Sequence, residues 1–520
     1  SNWLKLTVNA RGIYGIGHDD LSAAGVDPAA VDPASIRVFT GTGLALPPNV
    51  TDPRPDWMDE CTVAVVGGDD GVFDSGDRVV FYAIGTDAWA DELMLDSPEE
   101  PYYENRFAGT AVYWMTWESE GTPFADPPLR MDVDDLQDDP NPVVVTDYRA
   151  REHFEDARFE RQGRGDNFFM HEMKSPRAEH KDFHEKLTHV VTDSTGLLRA
   201  RVDGNSTSYV VNPDHIVYFY LNDVEAFIGE WNGHATLVFE TDGLPFVDYL
   251  PQEPGLDYNI FDVFVPRADE EHEGDTILID WFEFQYWRAL WADMDSEDGV
   301  NDDQLAFGSS LRTGVLEYVL DGFETADVSV FKILDRYTVR TVPGVTTSES
   351  SRGYGATFQD DVADTASYLA VSDGGYLTPG IERDVHEGLR SDTGVDYVMV
   401  VYDGFYDEAL RLKNYRESAA GGGYDVLLVK VSDVYDEFSW GVVDPTAIRD
   451  YLKFLSDNAD VPPTHALLLG DATSDYRHYL TTGVDCYLPT YYTGGLAYWP
   501  TDFWFVGFDA VIQYEPGMAL

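Results

Sequence analysis

His465-Ala466-Leu467-Leu468-Leu469-Gly470-Asp471 decides the fold of this chain. An apolar run without polar alternation reads as a strand covered on both faces, and such strands belong to parallel sheets flanked by helices. Two earlier runs have the same character: Asp396-Tyr397-Val398-Met399-Val400-Val401-Tyr402 and Asp425-Val426-Leu427-Leu428-Val429-Lys430-Val431. Between them Ala409, Leu410, Leu412 and Tyr415 recur at helical spacing, and Gly421-Gly422-Gly423 supplies the stop. Asp444-Pro445 then opens a second helix with an acidic N-cap and proline in the first turn, with Ile448, Tyr451, Leu452 and Leu455 as its apolar stripe. The spacing therefore predicts strand, helix, strand, helix, strand over 377–520, part of a doubly wound α/β domain. Such sheets carry their chemistry at the carboxyl ends of the strands, where Gly470, Asp471, Asp475 and Tyr476 fall.

Upstream, the pattern changes to short strands punctuated by Asp, Pro and Gly. Residues 1–131 form a β-rich leader, with Trp3-Leu4-Lys5-Leu6-Thr7-Val8 and Arg78-Val79-Val80-Phe81-Tyr82-Ala83 as alternating strands. Asp132 to Pro142 is acidic and proline-containing and reads as a linker. From 143 to 294, His215 to Asn222, Ala235 to Phe239 and Thr276 to Phe284 predict a jelly-roll-like β-sandwich. A third β-rich module at 304–376 connects it to the α/β part. The fold class expected is thus multidomain, with β-rich leader and sandwich modules before a partial parallel-sheet domain.

The chain has 520 residues, with 95 acidic and 34 basic side chains and a formal net charge of −61. That field repels nucleic acid and anionic membranes, so neither is an expected partner. An acidic, lysine-poor surface suits a salt-adapted organism, because at molar salt the Debye length falls to about 3 Å and self-repulsion is screened; calcium binding by acidic loops and attraction of basic substrates are the alternatives. No run of eighteen apolar residues occurs, so no membrane-spanning helix is expected. Two cysteines, Cys61 and Cys486, cannot build a disulfide framework. The start at Ser1-Asn2-Trp3, without Met, reads as a mature or trimmed chain.

Two acidic groups have metal-ligand chemistry. Asp69, Asp70, Asp74 and Asp77 surround Gly71 and Gly76 in one loop, the arrangement by which a tight turn gathers oxygen ligands for calcium. A hairpin rich in Asp for its own turn geometry is the alternative. Asp471, Asp475 and Asp502 are a second candidate set above the sheet edge. The acidic run Asp293 to Asp303 has similar ligand chemistry in less ordered spacing, and an acidic linker is the reading favoured there. In the sandwich, Trp231, Trp287 and Trp291 are candidates for stacking a glycan, against the alternative of core packing.

Several segments resemble the gingipain family of cysteine peptidases, including the sortase-like members of type IX secretion. They are Tyr435-Asp436-Glu437-Phe438-Ser439-Trp440-Gly441, Asp444 to Asp450, Leu467 to Arg477, Leu488-Pro489-Thr490-Tyr491-Tyr492 and Thr501 to Val506. In the leader, Gly12-Ile13-Tyr14, Asp32 to Phe39, Asp70 to Asp77 and Tyr113 to Trp117 look like the leader of large family members. The resemblance implies peptide-bond hydrolysis by a His-Cys dyad, a protein or peptide substrate, and an extracellular or cell-surface location. It also implies that both dyad residues follow later strands, beyond Leu520, which leaves no catalytic residue in the 520 and the chain alone inactive. Cys61 follows Asp59-Glu60 and Cys486 follows Asp485, acidic neighbours that weaken a thiol as a nucleophile. His18 and His234 lie in β-rich regions and His465 begins a strand.

Two functions follow from these readings. One is the amino-terminal portion of a secreted cysteine endopeptidase. The other is a non-catalytic surface protein that binds glycan or protein through its β-sandwich, and aromatic side chains exposed in a row on the second β block would mark it.

Overall fold

The computed structural model describes residues 2–96, 101–118, 124–161, 168–174, 178–248, 258–266, 275–292, 303–384, 388–391, 395–480, 485–493 and 499–508. The acidic run at 293–302 lies outside them. The chain divides into two compact units. The first comprises Ser1–Asp132, Leu334–Arg340 and Tyr376–Leu520, and the second Val133–Ile333 with Thr341–Gly375. The leader and the α/β segment thus share the first unit, and the two β modules between them share the second.

In the first unit the predicted α/β order is present. Strand β1 (Tyr397–Val401) is followed by helix α1 (Tyr406–Glu417), β2 (Val426–Lys430), α2 (Val431–Phe438), α3 (Pro445–Asn458) and β3 (His465–Leu469). The sheet is parallel and ordered β2-β1-β3, with Val401 level with Lys430 on one side and Leu469 on the other. Central position explains why β1 reads as continuously apolar. Val398 and Val400 pack with Ile448, Tyr451, Leu452 and Leu455 of α3. Tyr397, Met399 and Val401 pack with Ala409 of α1 on the other face. Helix α3 starts as its sequence predicts, with Asp444 as N-cap accepting from the Thr446 N–H at 2.7 Å. Helix α2 is a departure: the apolar run Val426 to Val431 was expected to end a strand, yet Val431 already begins a helix.

The leader contributes a five-stranded sheet ordered Gly380–Arg383, Trp3–Val8, Ala111–Thr116, Arg37–Thr40, Asp59–Cys61. Its strand Trp3–Val8 serves two layers. Leu4, Leu6 and Val8 are fully buried in the leader core. On the opposite face Trp3 meets Trp114 edge-on at 6.5 Å, and Lys5 pairs with Asp436 of α2 at 2.5 Å. The leader is therefore packed directly on the α/β helices. Arg54 reaches Asp450 of α3 at 2.6 Å, the Trp114 indole donates to the Trp440 carbonyl at 2.9 Å, and the Leu46 N–H donates to Asp444 Oδ2 at 2.7 Å. Segment Leu334–Arg340 also belongs here. Arg336 is buried and donates to the Thr42 carbonyl, and the Tyr337 carbonyl accepts from the Thr62 N–H at 2.8 Å.

The second unit is built of antiparallel sheets. One has the order Asp147–Phe154, Thr276–Ala289, Thr195–Gly204, Thr236–Pro245, and another Glu179–Glu185, Asn259–Val265, His215–Leu221, Val224–Trp231. Phe183, Phe219 and Phe261 of one sheet meet Phe282 and Phe284 of the other in a shared core, the sandwich that regular strand spacing predicts. Across the first of these sheets runs a rung of alternating charge. His153 Nδ1 lies 3.1 Å from Glu283, Arg199 donates to Glu283 at 3.0 Å, and Arg199 lies 3.2 Å from Glu240. The acidic stretch read as a linker is held to this unit: Asp134 pairs with Lys332 at 2.9 Å and the Asp139 N–H donates to Gln359 at 2.8 Å.

Candidate functional site

Parallel register brings the ends of β1 and β3 together, because Val401 is level with Leu469. The loops that leave them, Tyr402-Asp403 and Gly470-Asp471, therefore start side by side, joined by the Tyr402 N–H donating to the Leu469 carbonyl at 2.9 Å. The connection after β1 runs to β2 and β3 lies on its other flank, so this is the switch point at which open α/β sheets form their crevices. Tyr402, Phe405 and Tyr487 make a ring cluster there, with centroids 4.7 to 5.3 Å apart. Asp403 accepts from both the backbone N–H and the hydroxyl of Ser432, the latter at 2.6 Å. That pair ties the β1 loop to the first turn of α2. The sequence reading missed Asp403, and its only local signal is an acidic residue beside Gly404 at a strand end.

Gly470 is required by close approach. A Cβ there would stand 2.5 Å from the Leu488 Cβ, an atom that cannot swing away. The Asp471 carbonyl accepts from the N–H groups of Tyr487 and Leu488 at 2.9 and 3.1 Å, which pins the 485–493 segment over the strand end. Replacing Gly470 by alanine is expected to lower stability by about 2 kcal/mol through this clash. A chemical-denaturation midpoint unchanged from the parent would show that Leu488 can retreat.

The three carboxylates singled out above the sheet edge have separate partners. Asp471 Oδ1 accepts from the Ala472 N–H at 2.9 Å. Asp475 is buried and accepts from the Tyr479 and Leu480 N–H groups at 2.8 Å each. Asp502 accepts from the Thr490 hydroxyl at 2.8 Å. Asp475 thus caps a turn, and the neighbouring Tyr476 hydroxyl donates to the Thr490 carbonyl at 2.6 Å. In the leader loop, Asp70 accepts from the Val72 N–H at 3.0 Å, and the buried Asp77 accepts from the Asp74 N–H at 2.9 Å. Asp69 and Asp70 lie in the turn Gly68–Asp70. Among the described residues no group of three or more His, Cys, Asp or Glu side chains is assembled to hold a metal ion.

Neither cysteine is primed for attack. Burial pushes the Cys61 thiol up to about 12, with Asp59, Glu60 and Asp335 acting in the same direction against Arg336. Burial also raises Cys486, helped by Asp471 and Asp475. His465 stands at the amino end of β3, stacked on Tyr397 at 5.6 Å, whereas Gly470-Asp471 stands at the other end. In the second unit, Trp231 is buried and stacked on His215, and the rings of Trp287 and Trp291 carry the guanidinium groups of Arg312 and Arg352 at 4.9 and 3.6 Å. These three indoles do not form an exposed row.

A parallel sheet of order β2-β1-β3 with helices on both faces, and a β leader packed on α2 and α3, define an open α/β fold. Residues 390–519 match the model of Peptidase family C25, the gingipain family. Over nearly its whole length the fold is that of the dimeric latent PorU of Porphyromonas gingivalis. The two are 18% identical with a TM-score of 0.65 over 98% of this chain and 46% of that one. The chain therefore spans less than half of its solved relative. Two other solved structures match weakly. A cycloisomaltooligosaccharide glucanotransferase from a Paenibacillus species shares 10% identity over 44% of this chain and 48% of that one, TM-score 0.15. The ANX2 ectodomain of Arabidopsis thaliana shares 10% over 56% and 83%, TM-score 0.17. No curated protein sequence matches the chain significantly. Among the described residues no helix is long and apolar enough to cross a membrane.

Proposed function

We propose that this chain forms the amino-terminal part of a gingipain-type cysteine endopeptidase acting on protein substrates outside the cell or at its surface. The observation that carries the reading is the Peptidase family C25 match over 390–519, the segment that contains the whole β2-β1-β3 sheet. On this reading the His-Cys dyad is supplied outside these 520 residues, and the switch-point crevice at Tyr402, Asp403, Gly470 and Asp471 braces it. The raised Cys61 and Cys486 thiols support the assignment of a purely structural role to both.

The test is hydrolysis of a fluorogenic peptide library by two proteins, the 520-residue chain and the product of the same reading frame carried as far as it runs. The short chain is expected to show no turnover, and the Cys61→Ala and Cys486→Ala variants to behave identically. The longer product is expected to be active and to lose activity with iodoacetamide. Turnover by the short chain that disappears in Cys486→Ala would move the nucleophile into this chain and end the proposal.

A further inference from the structure

The outer face of the sheet Glu179–Glu185, Asn259–Val265, His215–Leu221, Val224–Trp231 carries two rungs that no part of the peptidase reading uses. Strand alternation sends Phe183, Val217, Phe219, Phe261 and Val263 into the core. The residues between them face out. The register aligns His180, Phe264, Tyr218 and Ile228 in one rung across all four strands. The His180 ring stacks on Phe264 at 4.3 Å, and Phe264 lies 5.7 Å from Tyr218. Ile228 is 43% exposed, and Ile260, two outward rungs away on the strand of Phe264, is 39% exposed. An apolar, aromatic strip of this kind on an open sheet face marks a binding surface.

The adjacent rung is acidic: Asp182, Asp262, Tyr220 and Glu225. Asp182 and Asp262 stand directly opposite each other, and like charges so placed repel. His180 Nδ1 lies 3.0 Å from Asp262 and offsets one of the three carboxylates. Burial raises the Asp262 carboxyl, and the facing Asp182 adds to the rise, so a cation is what this rung lacks. Four strands span about 14 Å, the length of about four residues of extended chain.

We infer that this face binds an extended cationic peptide segment, its apolar side chains on the His180, Phe264, Tyr218 rung and its Lys or Arg side chains on Asp182, Asp262 and Glu225. Charge complementarity selects this occupant: a net charge of −61 excludes anions, and an uncharged oligosaccharide would leave the opposed carboxylates unrelieved. The site is independent of the peptidase reading.

The test is titration of the 520-residue chain with an acetylated Lys-Leu-Lys-Leu-Lys-Leu peptide, with a Glu-Leu repeat and cellohexaose as comparators. The basic peptide is expected to bind and to weaken at least about tenfold between roughly 0.1 and 1 M salt, as the Debye length falls from about 10 to about 3 Å. The double variant Asp182→Asn with Asp262→Asn should melt no lower than the parent, because it removes a repulsion, while losing about tenfold in affinity. Phe264→Ser should weaken binding without changing its salt dependence. The inference is overturned if the basic peptide does not bind, if the double variant binds it as the parent does, if the Glu-Leu repeat binds equally well, or if cellohexaose binds in its place.

Discussion

Replacing Glu283 by alanine is expected to destabilise the second unit by about 3–5 kcal/mol, the cost of breaking a buried ion pair from one side. Glu283 is fully buried, and its two oxygens are spent on His153 at 3.1 Å and Arg199 at 3.0 Å. Its loss leaves a guanidinium and an imidazole facing each other across an empty strand position. For a unit of this size the melting transition should fall by roughly 10 °C. Glu283→Gln keeps the shape and should cost less, and adding Arg199→Met to Glu283→Ala should recover part of the loss. The same rung sets a pH dependence. Burial lowers the His153 pKa, but the hydrogen bonds its ring donates to Glu155 and Glu283 outweigh it and hold the pKa above its ordinary value. Because the folded value is raised, this stabilisation is complete below about pH 6.5 and is lost as pH climbs through the folded pKa. A calorimetric loss under about 1 kcal/mol in Glu283→Ala would show that the rung is solvated.

The second large effect concerns Asp444. Burial raises its carboxyl to about 6, although the Leu46 and Thr446 N–H groups pull the other way, with Asp450 adding to the rise. A raised folded value means that the protonated form stabilises the first unit. That contribution is fully present below the unfolded pKa near 4 and is lost as pH rises through about 6. A shift of about two units corresponds to roughly 3 kcal/mol between pH 4 and pH 7. Asp444→Asn retains an acceptor for the helix cap but has no proton to exchange. The stability difference between parent and variant should therefore run with pH in that sense, measured on the transition of the first unit by calorimetry. A difference independent of pH between 4 and 7 would mean that Asp444 titrates as a solvated carboxyl.

These residues also show which parts of the molecule can be read from sequence. The α3 start at Asp444-Pro445 was legible because capping is chemistry between residues two apart. The second role of Asp444, accepting from Leu46 almost four hundred positions away, was not, since no local pattern encodes which loop meets a helix end. The central strand β1 announced itself as an unbroken apolar run, while Glu283 sits fully buried in a strand where an acid reads as solvent-facing. Its partners come from neighbouring strands that only the register identifies. The rung of His180, Phe264 and Tyr218 was invisible for the same reason: its members lie in three strands, and tryptophans drew attention instead. For the acidic loop 69–77, composition named the residues. What they do depends on the turn they adopt, in which Asp70 and Asp77 accept from their own backbone.

Seven residues, Leu334–Arg340, belong to the first unit although the chain on either side of them belongs to the second. The polypeptide consequently passes between the units four times, and the short return acts as a stitch. A gene fragment encoding 133–375 would carry away Arg336, a buried cation that acts on the Cys61 thiol, and Tyr337, whose carbonyl holds Thr62. A fragment with that stretch excised would keep the socket and lose what fills it. Dissection of this protein by simple truncation therefore injures both products, and a working separation has to transplant the seven-residue stitch together with the leader.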